Sequence, residues 1–254
     1  MLLAHELIGH LSNPALVLIH GITDNRTMWH PLVPRLAADH LVLAVDLRGH
    51  GESETDDGYD PISYASDVVE TATSLGVADA IVVGHSLGGV VASAVAAISA
   101  CRAVVNIDQP LRLSGFKEAL GQLEPLLKGD VESFKMGIDL MFGAMYGPLS
   151  AAEQARLQAE RRADQAVVLG TWASVFESTE AELDATVEAL AGAITVPYLA
   201  LHGIDPGPGY AEWLQGLVPT ATVEMWPDTG HYPHLVHPDR FLDRLAAFEA
   251  QVRT

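Results

Sequence analysis

Cysteine, basic side chains and long apolar runs are all scarce in this chain of 254 residues. The single cysteine, Cys101, has no second cysteine for an internal disulfide, so a reducing compartment and a cytoplasmic location are the simplest expectation. No basic segment followed by a long apolar run opens the chain, so we expect no secretory signal. No apolar stretch reaches the roughly 18 residues that a membrane-spanning helix needs, and we therefore expect no membrane partner.

Basic residues are outnumbered by acidic ones, 14 to 33, which gives a formal net charge of -19. Nucleic acids and anionic membranes are bound by basic patches, so this balance argues against both as partners. The hydrophobic content of 49% is typical of a compact globular protein. At this length the chain lies within the range of a single α/β domain, and a homodimer is compatible with it.

Short apolar runs alternate with helix-like segments along most of the chain, and this alternation predicts βαβ units around a mostly parallel sheet. The runs that predict strands buried on both faces are 15–19, 41–45, 81–83, 103–107 and 196–201. From 109 to 194 the rhythm breaks, and only helix-like stretches occur. We therefore expect an α/β core formed by residues 1–108 and 195–254, with residues 109–194 inserted as a helical cap over the carboxyl ends of the strands.

The stretch Gly84-His85-Ser86-Leu87-Gly88 follows an apolar strand pattern and precedes a helix-compatible run. Turning from strand to helix within one residue crowds the flanking positions, which favours glycine at 84 and 88. A serine at the apex stands clear of the backbone, where a base can activate it. This pattern resembles the G-x-S-x-G nucleophile elbow of the α/β-hydrolase family, and the resemblance implies that Ser86 is a catalytic nucleophile.

A serine nucleophile needs a general base, and in the resembled family a histidine lies in the loop before the last helix. His231, in Gly230-His231, resembles that histidine, so we expect it to be the base. The family usually places an aspartate three residues after the glycine of an earlier strand end, whereas Asp205 lies only two after Gly203. Some members carry the acid after the preceding strand, where Asp108 stands. The glycine- and proline-rich loop around Asp205 can absorb a one-residue change, so Asp205 is favoured and Asp108 remains open.

Two backbone donors must stabilise the oxyanion that forms on the substrate. The N–H of Leu87, directly after the nucleophile, is one candidate. His20-Gly21-Ile22 resembles the family segment that supplies the second, which implies the N–H of Ile22. Apolar side chains near this loop and in the cap are candidates for the substrate pocket, namely Trp29, Met141, Met145 and Trp172.

Together these features predict a carboxylesterase-like serine hydrolase that acts on a small to medium, largely apolar ester through a Ser-His-Asp triad. Lactones, thioesters and a C–C bond next to a ketone are alternative substrates for the same groups. A ligand-binding receptor with vestigial activity is a further alternative. The reaction needs no cofactor, and no histidine pair has the spacing of a zinc site, so we expect no metal.

Overall fold

A seven-stranded sheet runs through the computed structural model, which describes residues 1–252. The strand order is β1-β3-β2-β4-β5-β6-β7; β1 is antiparallel to β3 and all other neighbouring pairs are parallel. The strands are β1 (His5–Ile8), β2 (Ala15–Ile19), β3 (Leu41–Val45), β4 (Ile81–His85), β5 (Ala103–Ile107), β6 (Tyr198–His202) and β7 (Ala221–Met225). This mostly parallel sheet confirms the predicted α/β class.

Every residue of β2 through β6 is buried, as continuous apolar runs require of strands covered on both faces. Successive side chains alternate between two core clusters. Val17 and Ile19 belong to one, whereas Leu16 and Leu18 belong to the other. The two edge strands, β1 and β7, are only partly buried. The continuous apolar runs therefore mark the central strands of the sheet, whereas the edge strands have no such runs.

Twelve helices flank the strands in the described part of the chain. They are α1 (Val33–Leu36), α2 (Pro61–Ser74), α3 (Leu87–Ile98), α4 (Ser114–Leu127), α5 (Val131–Gly143), α6 (Ala151–Glu160), α7 (Gln165–Thr171), α8 (Ala173–Glu177), α9 (Glu180–Gly192), α10 (Tyr210–Leu217), α11 (Pro233–Val236) and α12 (Pro238–Val252). Helices α2 and α3 contribute to the first core cluster, and α1 and α12 to the second. Within residues 1–252, no helix has both the length and the apolar character needed to cross a membrane.

The apolar residues of 27–39 have helical spacing, which predicts one helix, but this stretch forms two short pieces instead. A 3₁₀ helix spans Arg26–Trp29 and α1 spans only Val33–Leu36. Pro31 and Pro34 explain the break, because a proline has no N–H to donate and is tolerated only in the first turn of a helix. Pro34 lies in the first turn of α1.

Six helices, α4 to α9, occupy the chain between β5 and β6. They lie within the range 109–194 that was predicted to be helical, and no strand interrupts that range. Most helices of this insertion begin with a side-chain cap. Asp130, Ser150, Asp164 and Thr179 each accept a hydrogen bond from a free backbone N–H of the first turn. That this insertion acts as a cap stays a prediction.

Candidate active site

Ser86 stands between the end of β4 and the start of α3, where the chain turns from strand to helix within one residue. Its backbone has φ 54° and ψ −125°, a conformation that side-chain-bearing residues rarely adopt. Two hydrogen bonds hold it there. The N–H of Ser86 donates to the carbonyl of Ile107 (3.0 Å), and its own carbonyl accepts from the N–H of Gly89 (2.7 Å). The fold therefore stabilises a strained turn that carries a hydroxyl at its apex.

The glycines on either side of Ser86 are required by close backbone contacts. A Cβ on Gly84 would lie 1.9 Å from the carbonyl oxygen of Gly88. A Cβ on Gly88 would lie 2.2 Å from the carbonyl oxygen of Ile19, in the neighbouring strand. Both distances are far inside van der Waals contact. The steric reason that the sequence suggested for the glycines is therefore present in the structure.

His231 lies in the loop between β7 and α11, and its Nδ1 is 2.6 Å from Oδ2 of Asp108. The other carboxylate oxygen, Oδ1, accepts hydrogen bonds from the N–H groups of Gly203 (2.6 Å) and Ile204 (2.9 Å). Burial alone would raise the pKa of Asp108, but the hydrogen bonds from His231 and the two amides lower it below its usual value. An ionised Asp108 holds the proton of the imidazole on Nδ1, which leaves Nε2 free to act as a base.

The expectation that Asp205 contacts His231 is wrong; Asp108, the alternative left open, takes that place. Asp205 is exposed, and its carboxylate accepts a hydrogen bond from the N–H of Gly207 (2.8 Å) within its own loop. The backbone at Gly203 and Ile204 curves around the Asp108 carboxylate. This loop therefore contacts the Asp108 carboxylate through its backbone, whereas the carboxylate of Asp205 bonds within the loop.

The loop that follows β2, residues 20–28 (the β2 loop), runs close to Ser86. A Cβ on Gly21 would lie 3.1 Å from the Cβ of Ser86. The carbonyl of Gly21 is held by Nδ1 of His20 (2.7 Å) and by the N–H of Asp24 (3.2 Å). In a trans peptide the C=O and the following N–H point in opposite directions. These bonds therefore fix the direction of the Ile22 N–H as well.

His20 can hold the Gly21 carbonyl because its other nitrogen, Nε2, accepts from the N–H of Leu47 (3.0 Å). That bond places the proton of the neutral ring on Nδ1. Burial lowers the pKa of His20 to about 4, so the ring stays neutral near pH 7. His20 is thus a rigid support for the start of the β2 loop.

The alpha/beta hydrolase family model matches residues 16–244 of this sequence. The chain belongs to the alpha/beta hydrolase family. A 2-(acetamidomethylene)succinate hydrolase of Mesorhizobium japonicum is 34% identical over 154 residues, which cover 59% of this chain and 54% of that protein. The chain thus spans about half the length of that curated relative. The predicted membership of the α/β-hydrolase family is confirmed.

Two further similarities extend over nearly the whole chain. A pimeloyl-[acyl-carrier protein] methyl ester esterase of Pectobacterium carotovorum is 30% identical over 263 residues, covering 93% of this chain and 94% of that protein. A solved structure of an esterase from Thermogutta terrifontis, with malate bound, superposes with a TM-score of 0.78 at 23% identity, covering 99% of this chain and 94% of that one. At that identity the structural likeness supports the α/β-hydrolase fold alone.

A cavity of about 450 Å³ opens at Ser86 and His231. Three of the predicted pocket residues line it, all from the helical insertion: Met141, Met145 and Trp172. Ile22 and Leu87, the candidate oxyanion donors, line the same cavity. The structure therefore gathers the candidate nucleophile, the candidate base, the two candidate donor positions and apolar side chains around one cavity.

Trp29 was also expected to line the pocket, and this expectation is wrong. Its side chain is fully buried in the second core cluster, with its ring 5.1 Å from that of His234. The 3₁₀ helix directs this side chain into the core behind the site. His234 is itself buried, and burial lowers its pKa to about 3, so this ring also stays neutral near pH 7.

Hydrogen bonds from distant segments, not predicted from the sequence, hold the backbone of His231, the candidate base. His85, the residue before the nucleophile, donates from Nε2 to the carbonyl of His231 (2.7 Å), and the N–H of His231 donates to the carbonyl of Met145 (2.9 Å). Gly230 and Gly147 pack backbone to backbone, since a Cβ on Gly147 would lie 2.9 Å from the Cα of Gly230. The helical insertion therefore contacts the backbone that carries His231. No local pattern in the sequence could have indicated these long-range contacts.

Proposed function

We propose that this protein is a serine hydrolase that cleaves small to medium, largely apolar carboxylic esters through an acyl-enzyme. The observation that carries the proposal is the His231–Asp108 hydrogen bond of 2.6 Å beside the cavity that contains Ser86. A buried carboxylate behind an imidazole, together with a serine on a strand-to-helix turn, is the arrangement that nucleophilic acyl transfer requires.

The groups of the site have distinct roles in the proposed reaction. Ser86 Oγ attacks the carbonyl carbon while His231 Nε2 takes its proton, and Asp108 stabilises the imidazolium that results. The N–H groups of Leu87 and Ile22 bind the oxyanion, and each such donor is worth about 3 kcal/mol of barrier height. His231 then protonates the leaving alcohol. Water, activated by the same base, releases the acid from Ser86.

The shape and lining of the cavity support the substrate class. Its volume of about 450 Å³ lies at the lower end of small-molecule sites. Met141, Met145 and Trp172 give it an apolar wall, which suits a hydrocarbon acyl or alcohol group. We also propose that residues 109–194 are the cap of the core formed by 1–108 and 195–254, since these side chains cover the site from the insertion.

Ester cleavage is supported by a relative that aligns over nearly the whole chain. One relative is named as a methyl ester esterase and aligns over 93% of this chain. The intact pairing of His231 with Asp108 argues against a receptor with vestigial activity, since ligand binding alone does not require an oriented base. A cytoplasmic location is part of the same proposal and rests on the single, half-buried Cys101.

The test combines active-site labelling with an activity screen. A fluorophosphonate probe should label the wild type at one site, and Ser86→Ala should abolish the labelling. Equal labelling of the two proteins, or none of the wild type, would refute a serine hydrolase. The wild type is then assayed on p-nitrophenyl esters of graded acyl length, with lactones and thioesters in parallel. Faster turnover of a lactone or thioester than of every ester would move the proposal to that substrate class.

A further inference from the structure

The β2 loop is fastened to the helical insertion by several direct hydrogen bonds. The N–H of Arg162 donates to the carbonyl of Thr23 (2.9 Å), and the side chain of Asn25 donates to the carbonyl of Glu160 (3.0 Å). Nη1 of Arg156 donates to the carbonyl of Thr27 (3.0 Å). Residues 156–162, termed the anchor segment, thus contact the loop along its length. The path of the β2 loop therefore depends on residues of the insertion.

The loop needs such support because Thr23 has φ 64°. A β-branched residue with a positive φ is strained, and it persists only where its surroundings hold it. The carbonyl of Thr23 accepts from the N–H of Arg162 in the anchor segment. Thr23 directly follows Ile22, whose N–H is the proposed oxyanion donor. The strained residue and the donor are therefore neighbours on one short backbone.

A buried pair of opposite charges lies at the centre of this contact. Nε of Arg161 is 4.0 Å from Oδ1 of Asp24, and the two side chains are only 9% and 4% exposed. Arg161 also donates from Nη1 to the hydroxyl of Tyr146 (3.1 Å), and its guanidinium lies 3.9 Å from the ring centre of Phe142. The guanidinium is therefore held in place by the insertion, with Asp24 as the charged group of the β2 loop beside it.

Asp24 connects this pair to the oxyanion donor. Its N–H donates to the carbonyl of Gly21 (3.2 Å), in the peptide that carries the Ile22 N–H. Burial raises the pKa of Asp24 to about 6, and the charge of Arg161 is the largest opposing influence. Arg161 therefore favours the ionised form of Asp24 in a place that otherwise disfavours charge.

We propose that Arg161 is a positioning residue for the proposed hydrolysis. Through its buried contact with Asp24 it fixes the β2 loop so that the Ile22 N–H is directed at the oxyanion. This inference rests on the proposed function and adds a residue of the insertion to the machinery that prepares the site. Arg161 does not line the cavity and touches no substrate, so its effect is transmitted through the loop.

The expected effects on kcat and KM follow from the point in the reaction at which the oxyanion forms. Charge develops on the carbonyl oxygen only during attack, so a misdirected donor lowers kcat while substrate binding is little changed. Arg161→Met keeps the apolar stem and removes the charge. We expect kcat to fall by about 10- to 100-fold, the cost of a small misplacement of a catalytic group, with KM within about twofold of the wild type. Asp24→Asn should give a similar loss, and Arg161→Lys should recover part of it.

Removal of one of two buried charges can itself unfold a protein. The double variant Asp24→Asn, Arg161→Met removes both and is measured alongside the single variants. If the two residues act as a unit, the double variant should lose about as much kcat as either single variant. Arg35→Met is the matched control, because Arg35 is 53% exposed and pairs with Asp239 at the surface. It should keep the kcat of the wild type, and thermal melts of all variants report folding.

Two results would overturn this inference while leaving the proposed function intact. One is an active wild type whose Arg161→Met and Asp24→Asn variants keep full kcat or change only KM. The other is a double variant whose loss equals the product of the two single losses. A wild type that neither labels with fluorophosphonate nor hydrolyses an ester would instead refute the proposed function, and this inference with it.

Discussion

Replacement of Asp108 by asparagine tests the proposed mechanism most directly. Oδ1 of Asp108 accepts from the N–H groups of Gly203 and Ile204, and both of these are donors only. An asparagine of the same shape must therefore keep its oxygen on that side and turn its NH₂ group towards Nδ1 of His231. Because two donors cannot face each other, the imidazole must place its proton on Nε2.

With its proton on Nε2, His231 can no longer take the proton of Ser86. The variant also lacks the negative charge that stabilises the imidazolium. In a Ser-His-Asp triad, this change lowers kcat by about 10⁴-fold, which is about 5.5 kcal/mol of barrier height. KM should change little, because Asp108 lies behind His231 and the lost interaction develops in the transition state.

The assay measures kcat and KM for the wild type, Asp108→Asn and Asp205→Asn on one p-nitrophenyl ester. Asp205→Asn is the matched control, since it makes the same chemical change in the exposed loop after β6. We expect the control to keep kcat near that of the wild type. A variant at 108 that retains a tenth or more of wild-type kcat, or an equal loss at 205, would refute the assignment of the acid. Thermal melts should show both variants folded.

Two further predictions concern stability. Burial lowers the pKa of five histidines, to about 4 for His20 and His202, to about 3 for His50 and His234, and well below the usual value for His85. The unfolded chain therefore binds protons below about pH 6.5 that the folded chain does not. The free energy of unfolding by urea should fall between pH 6.5 and 5, by up to about 1.4 kcal/mol per histidine per pH unit, and a flat profile would contradict the neutral state of these histidines. Gly88→Ala should destabilise the fold by roughly 1–3 kcal/mol or more in the same assay, because the added Cβ would lie 2.2 Å from the carbonyl oxygen of Ile19. Gly121→Ala, with open space around it in α4, should be neutral or stabilising, and equal effects of the two substitutions would contradict the steric reason.

The centre of the fold could be predicted from the sequence because its strands are buried on both faces. The apolar runs 15–19, 41–45 and 103–107 coincide with the bounds of β2, β3 and β5. Such runs need no information from the rest of the chain, since burial on both faces dictates the residue types directly. The prediction for 27–39 failed because helical spacing was weighed without the cost of two prolines.

The candidate nucleophile and base could also be predicted from local patterns, whereas the residues that support them could not. Ser86 is marked by glycines at fixed positions, and His231 by its place before the last helices. The bond from His85 to His231 and the pairing of Asp24 with Arg161 join segments that are distant in the sequence. No periodicity or spacing encodes such contacts. They depend on how the insertion folds back onto the core.

The sequence could limit the candidate acid to Asp108 or Asp205 but could not decide between them, and the sheet topology explains why. Asp108 follows β5 and Asp205 follows β6, and these strands are parallel neighbours. Their carboxyl ends reach the same edge of the sheet, so either position could bring a carboxylate near His231. Asp108, with φ 51°, directs its side chain at His231, while the loop after β6 supplies the amides of Gly203 and Ile204 to the same carboxylate. The loop after β6 therefore holds Oδ1 of Asp108, the carboxylate oxygen that does not face His231. Changes to its backbone should accordingly weaken catalysis through Asp108.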